Sequence, residues 1–461
     1  MNRSLSAEND LDLLIDQDHV SEFRHLLHEL GFIPVSKQRA PEVPDTEDFF
    51  GFDTEIDRFV HIHAHYRLVL GHDRTKNYRI PIEQAYLESA IDSGVLRIPS
   101  PEFEYVVLVL RMALKYAVLD EILWQAARRR RAAPKKSEVE EIEDLSGQIS
   151  DEAVSDILEQ HVPIIDRATF DDAVYAISGK ATIPERMAVS REIETRLQPY
   201  ARAGRLTDGA LRSWRRLVVS AQRRTGRSPR FRPAAGGVII AVIGGDGAGK
   251  STVLSSVVPW LSAEFDTLSI HLGKPNWSRT TVAVRGGLKA YKVARSVLRL
   301  DAAEDRTGGT STEFGYHPTV WDVCTARDRY LTYRRARRFA NSGGLVVSDR
   351  YPNPSLELMD APQIARRFEG RGLSGITRRF SRHEIDYHDA IGSPDVTIIL
   401  KVDPNVAAAR KTDEPADYVR RRSAEIWNAN WLESSGYVVD ASQPVDDVIA
   451  EVKALIWSSL E

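Results

Sequence analysis

At 461 residues the chain is too long for one ordinary core, which implies two or three domains. A formal net charge of −4 excludes a globally basic nucleic-acid binder, so no specific nucleic acid is expected as a partner. The single cysteine, Cys324, excludes a disulfide framework and any multi-cysteine zinc site.

The chain opens MNRSLSAENDLDLLID, with acidic residues where a signal peptide needs an apolar core, and no run of about 18 or more apolar residues follows. The expectation is a soluble, cytoplasmic protein. LDLLI reads as a short strand. VSEFRHLLHELGF then reads as an amphipathic helix, with Phe23, Leu26, Leu27 and Leu30 at helical spacing and Gly31 as its stop. DRFVHIHAHYRLVL alternates like a strand, and the segment opening at Ser100, a candidate N-cap, runs as a long buried helix. The following RRRRAAPKKSEVEEIEDL, basic then acidic, reads as a solvated hinge or loop, and helical segments continue to about Gln222. RRTGRSPRFRPAAGG lacks periodicity and reads as a linker over 226–236, between domains at 1–225 and 237–461. Beyond it, strands and helices alternate, which means a parallel sheet covered on both faces.

Gly244, Gly249, Lys250 and Ser251 satisfy G-x-x-x-x-G-K-[ST], between an apolar strand and a helix. Glycines let backbone N–H groups from Gly244, Gly247, Ala248 and Gly249 through Thr252 converge on phosphate oxygens, helped by the positive end of the helix dipole. Lys250 is expected to neutralise phosphate charge and Ser251 to hold Mg²⁺. LVVSDRYPNPS ends a second apolar strand at Asp349 and Arg350, at the carboxyl edge where ligands bind in such sheets. A carboxylate there can reach Mg²⁺, and the guanidinium beside it can clamp a phosphate bidentately.

On these motifs the chain from Val238 onward resembles the thymidylate kinase family of nucleoside monophosphate kinases. GGDGAGKST is similar to that family's P-loop, including Asp246, which the resemblance assigns to the acceptor sugar. TARDRYLTYRRARRFANSGGLVVSDRY resembles the family's helix, strand and D-R-Y block, which makes Arg350 the acceptor-phosphate ligand and Arg329 the acceptor-base contact. PDVTIILKVDPNVAAARK looks like the entry to the family's lid, so Arg410 and Lys411 are candidate lid cations, with Arg420, Arg421 and Arg422 as alternatives. Three departures bear on the acceptor: Thr325 stands where the family stacks a phenylalanine on thymine, LELMDAP replaces the tyrosine–glutamine element expected after D-R-Y, and a long insertion, 278–317, follows the second strand. Within the insertion Arg285, Lys289, Lys292, Arg295 and Arg299 share one helical face, either a solvated face, a peripheral contact with an anionic membrane, or an acceptor-phosphate site.

In the first half, Asp10 and Asp12 share one side of a strand, as a carboxylate pair able to hold divalent metal does. His61, His63 and His65 share one face of another, spaced so that two of them, but not readily three, could share a metal. DLDLLID, the helix ending LGF, VHIHAHYRL and the long helix resemble the nucleotidyltransferase-like domains of the polymerase-β superfold, within the group that has a helical second half. That resemblance implies metal at Asp10 and Asp12, although His61 stands at the place of the third carboxylate and no Gly–Ser element precedes Asp10.

The expected fold is α/β: a C-terminal P-loop NTPase domain with a helix-flanked parallel sheet, and an N-terminal α+β nucleotidyltransferase-like domain with a helical extension. The expected activity is ATP- and Mg²⁺-dependent phosphorylation of a nucleotide-like small acceptor, with a homodimer left open. The alternatives are an ATP-binding sensor with degenerate sites, or a kinase of activated-sugar or surface-glycan precursor metabolism.

Overall fold

The structure, a computed structural model, describes residues 10–37, 44–72, 74–94, 96–116, 136–178, 180–224, 230–297, 316–353, 356–358, 361–369, 373, 375–431 and 436–461. It divides into two compact units, residues 1–53 with 58–229, and residues 54–57 with 230–461. Among the described residues no helix is long and apolar enough to cross a membrane.

In the first unit, strands β1 (Leu11–Leu14), β2 (Ile33–Lys37), β3 (Thr46–Asp53) and β4 (Arg58–His65) lie in the order β1–β4–β3–β2. β1 runs parallel to β4, pairing Leu11 with Ile62 and Asp12 with His63, while β3 is antiparallel to both of its neighbours. Helix α1 (Val20–Glu29) packs Phe23 and Leu27 against Phe49, Ile62 and Ala64. Leu26 and Leu30, expected on the same stripe, are exposed; the four-residue step from Phe23 to Leu27 alone aims at the sheet.

The helical part is built on α2 (Pro101–Tyr116), capped by Ser100 Oγ, which accepts from the Phe103 N–H at 3.5 Å. Val106, Val109 and Leu110 of α2 are fully buried beside Phe170, Ala173 and Ile193 from the helices packed on it. The acidic block read as loop is a helix, α3 (Lys136–Ser146), because Ile142 and Leu145 sit at helical spacing and bury against this core. The basic block before it lies outside the described residues.

The second unit is a five-stranded parallel sheet. Its first element, β5 (Phe231–Pro233), stands inside the segment read as linker. Phe231 bridges to Phe265, and buried Arg232 donates to Asp266 and Ser342 O beneath the Phe339 ring, so an Arg/Pro composition hides a specific anchor. The sheet strands are β6 (Ile239–Gly244), β7 (Thr267–His271), β8 (Leu345–Asp349), β9 (Val396–Lys401) and β10 (Gly436–Asp440), ordered β7–β8–β6–β9–β10. All six residues of central β6 are buried, as a near-continuous apolar run in a doubly covered sheet must be. Helix α4 (Lys250–Glu264) buries Val253, Val257 and Leu261. Helix α5 (Tyr316–Asn341) buries Ala336 and Ala340. The order places the end of β6 between β8 and β9, so the loop after it opens at the carboxyl edge of the sheet.

Candidate active site

The loop after β6 is shaped by two glycines that only glycine suits. Gly247 has φ +84°, and a Cβ there would lie 2.4 Å from the Ala407 carbonyl oxygen; Gly249, also at φ +84°, turns the chain into α4. No side chain caps α4, so its first N–H groups face outward with the positive end of the helix dipole. Ser251 and Thr252 are exposed on that first turn.

Lys250 folds back over the loop, donating from Nζ to Gly244 O and Gly245 O at 2.8 Å each. Burial pushes its ammonium down to about 8; the Arg350 charge adds to this, while Asp246 and Asp349 oppose it. Asp246, 4% exposed, is held between two guanidinium groups: Arg350 Nη2 donates to Oδ1 at 2.8 Å and Arg422 Nη1 to Oδ2 at 2.7 Å. Ser423 Oγ donates to the Asp246 carbonyl at 3.2 Å. Arg350 adopts φ +55°, an uncommon conformation for a residue with a Cβ, directly after β8.

Asp349 ends β8 beside His271. The Lys274 N–H donates to His271 Nδ1 at 3.1 Å, which leaves Nε2 to carry the ring proton toward Asp349 Oδ2, 3.7 Å away. Asp349 Oδ1 is buried and has no hydrogen-bond partner among the described residues. An orphaned carboxylate oxygen on the same cleft wall as the Ser251 hydroxyl suits a hard cation such as Mg²⁺.

Two pockets flank the loop. A cleft of about 810 Å³ is lined on one side by Ser251, Leu254, His271, Lys274, Asp328 and Asp349. A smaller one, about 420 Å³, is lined by Gly247, Ala248, Gly249, Thr252, Arg410 and Gln443.

Several expected residues stand elsewhere. Arg329 is 5% exposed, donates from Nε to Leu272 O at 2.7 Å and meets His388 with Nη1; it does not line the large cleft. Arg410, expected in the lid, donates to Ala441 O at 2.8 Å and lines the smaller pocket, because the short helix Pro404–Arg410 ends there. Lys411 pairs with Asp413 and Arg420 with Asp417 on the surface. Of the three arginines offered as alternatives, Arg422 is the one brought to Asp246. The sequence carries that signal: Val419, Ser423 and Ile426 are the buried face of their helix, and residue 422 flanks it. His271 carried no motif and was missed, and Asp328 was passed over beside Arg329 in the same block. Thr325 turns its hydroxyl to Trp321 O at 2.9 Å. The basic face of 285–299 begins on a helix, Arg279–Val297, but Arg285 stacks on Trp277 at 4.0 Å, and Arg299 lies outside the described residues.

In the first unit the two carboxylates expected to act as a pair go to different histidines. His61 sits 2.8 Å from both Asp10 and Asp48. Burial pulls its imidazole down, but Asp48 and Asp10 outweigh this and raise its pKa above the ordinary value. Asp12 Oδ1 lies 3.1 Å from His63 Nδ1 and 3.5 Å from His65 Nε2. Hydrogen bonds from His63, then His65, hold the Asp12 carboxyl well below the usual carboxylate range. Asp48 on β3 was missed because no D-x-D spacing marks it.

Over about half its length the chain is homologous to thymidylate kinases and to uncharacterized ATP-binding proteins. It is 27% identical over 224 residues to a probable thymidylate kinase of Pyrobaculum aerophilum, covering 47% of this chain and 95% of that protein. It is 26% identical over 247 residues to a thymidylate kinase of Bacillus cytotoxicus, covering 49% and 99%. An uncharacterized ATP-binding protein of Escherichia coli, YghS, is 24% identical over 227 residues, covering 47% and 92%. No family model matches the chain. These relatives support, coarsely, a kinase-like ATP-binding function.

Proposed function

We propose that this chain is an ATP- and Mg²⁺-dependent phosphotransferase that moves a phosphoryl group to a nucleotide-like acceptor. The observation that carries the reading is Asp246, set inside the phosphate loop and gripped by Arg350 and Arg422, beside a buried Lys250, with a pocket lined by Gly247 to Gly249 and another lined by Ser251. The smaller pocket, with Arg410 and the loop backbone, suits the base and sugar of ATP; the larger cleft suits the acceptor. Lys250 would exchange its two carbonyl bonds for phosphate oxygens, and the N–H groups at the start of α4 would hold those oxygens in place. Ser251 and Asp349 are the residues that would hold Mg²⁺, and the ion would supply neutralisation of phosphate charge. Arg350 and Arg422 would orient the acceptor and stabilise charge on the moving group.

Some of the relatives are thymidylate kinases and others are ATP-binding proteins without an assigned activity; Thr325 offers no ring for stacking, so a nucleotide other than thymidylate, or a sugar phosphate, fits equally. The test is a screen of nucleoside monophosphates, nucleosides and sugar phosphates for ATP-dependent product, with Lys250→Ala as control. Product formed at undiminished rate by Lys250→Ala overturns the mechanism. ATP binding with no turnover on any acceptor overturns the enzyme reading in favour of a nucleotide sensor.

A further inference from the structure

The function proposed above leaves the first unit without a task, and its sheet carries a second chemical cluster. We infer that Asp12, His63 and His65 form a binding site for a divalent transition-metal ion, whose remaining coordination positions face a cleft suited to an oxyanion.

One ligand atom from each of the three residues lies within 4.8 Å of the others. Nitrogen and oxygen ligands at roughly 2.0–2.2 Å from a tetrahedral ion stand about 3.3 Å apart. The separations from Asp12 Oδ1, 3.1 Å to His63 Nδ1 and 3.5 Å to His65 Nε2, bracket that spacing. The scaffold is rigid: Asp12 and His63 are register partners on parallel β1 and β4, and His65 is two residues along the same face. Site geometry set by strand pairing needs little rearrangement to accept an ion.

The donor set decides the class of metal. Two imidazoles and one carboxylate suit zinc, iron, cobalt or manganese, whereas Mg²⁺ takes oxygen donors and keeps its waters. Asp10 is not part of the set, since His61 holds it at 2.8 Å. Three protein ligands leave at least one position open. Asp12, His63 and His65 line a cleft of about 400 Å³ whose wall also carries Arg67, Lys76, Arg97 and Arg111. Arg67 also reaches toward Asp45 at 4.0 Å, but the cleft wall otherwise carries basic groups, so an anionic oxygen ligand, a phosphate or a carboxylate, is the chemistry that fits the open position.

The experiment titrates the purified full chain with Co²⁺ and follows its visible ligand-field bands, with Zn²⁺ and Mg²⁺ as competitors. One equivalent of Co²⁺ per chain is expected, displaced by Zn²⁺ and not by millimolar Mg²⁺. Asp12→Asn and His65→Gln should each weaken binding at least about 100-fold, beyond the 10–100-fold cost of losing an outer-shell partner, while Lys250→Ala leaves it intact. Thermal melts without metal confirm that each variant folds. Metal binding indifferent to both variants, or displaced by Mg²⁺, overturns the site. Inorganic phosphate should shift the bands; a spectrum unmoved by phosphate overturns the oxyanion assignment. Neither result bears on the kinase reading, which Lys250→Ala tests separately.

Discussion

Asp246→Asn is the sharpest test of the cluster that Asp246 forms with Arg350 and Arg422. The carboxylate is 4% exposed and receives two charge-assisted hydrogen bonds, at 2.8 Å from Arg350 and 2.7 Å from Arg422. Each such bond is worth about 1.5–3 kcal/mol, and removing one partner of a buried pair costs about 3–5 kcal/mol because the other charge is left behind. The arginines are 22% and 14% exposed, so their head groups can partly regain water. Asparagine also keeps one acceptor. The expected loss is therefore about 2–3 kcal/mol, a factor of roughly 30–150 in the folding equilibrium. For a unit of this size that lowers the melting temperature by about 4–12 °C. Differential scanning calorimetry of Asp246→Asn, Arg422→Gln and the double variant measures it. The double variant should lose about 1–2 kcal/mol less than the sum of the singles, since both remove the same contact. A melting temperature within about 1 °C of wild type, or strict additivity, refutes the claim that this cluster is a buried, coupled unit.

Lys250, pushed down to about 8, takes up a proton when phosphate binds above that pH, so nucleotide affinity should fall as pH rises past about 8. Calorimetry in buffers of different ionisation enthalpy reads the uptake directly, and no buffer dependence at pH 8–9 counts against it. In the unliganded chain the sign is opposite: the folded ammonium titrates below the unfolded one, so this group's contribution to stability rises with pH from about 8 toward 10.5. Gly247→Ala places a Cβ 2.4 Å from Ala407 O at φ +84°, and should abolish ATP binding and lower the melting temperature. Gly286→Ala, in a helix with nothing within 4 Å of the new Cβ, should instead stabilise by about 0.4–1 kcal/mol, measurable by urea titration. Lys250→Ala should lower turnover by about 10²–10³, as loss of a donor aimed at transition-state charge does.

The parallel sheet and its phosphate loop were legible because their signals are local: an apolar run, two turn glycines and a helix start lie in one stretch of sequence. The placement of Asp349 and Arg350 at the end of an apolar strand was legible for the same reason. What the sequence hid was long-range pairing. Nothing in the spacing of Arg420, Arg421 and Arg422 to the loop says which meets Asp246, although the buried period of Val419 and Ser423 narrows it. Arg329 and Arg410 carried the right chemistry, but partner carbonyls at Leu272 and Ala441, distant in sequence, claim them. In the first unit, Asp10 falls just before β1 and meets His61, while Asp12, inside the strand, is set by the parallel register opposite His63, so the expected pair is divided.

Arg232 has a practical consequence for anyone dividing the gene. Its side chain joins Asp266, Ser342 and Phe339, three points that the sheet otherwise holds apart in sequence. A fragment begun at residue 237, where composition marks the domain's start, would discard that brace and leave the Asp266 carboxylate without the guanidinium it pairs with. A fragment begun at Arg230 keeps it, so the two should differ in yield and melting temperature although they share every residue of the phosphate loop.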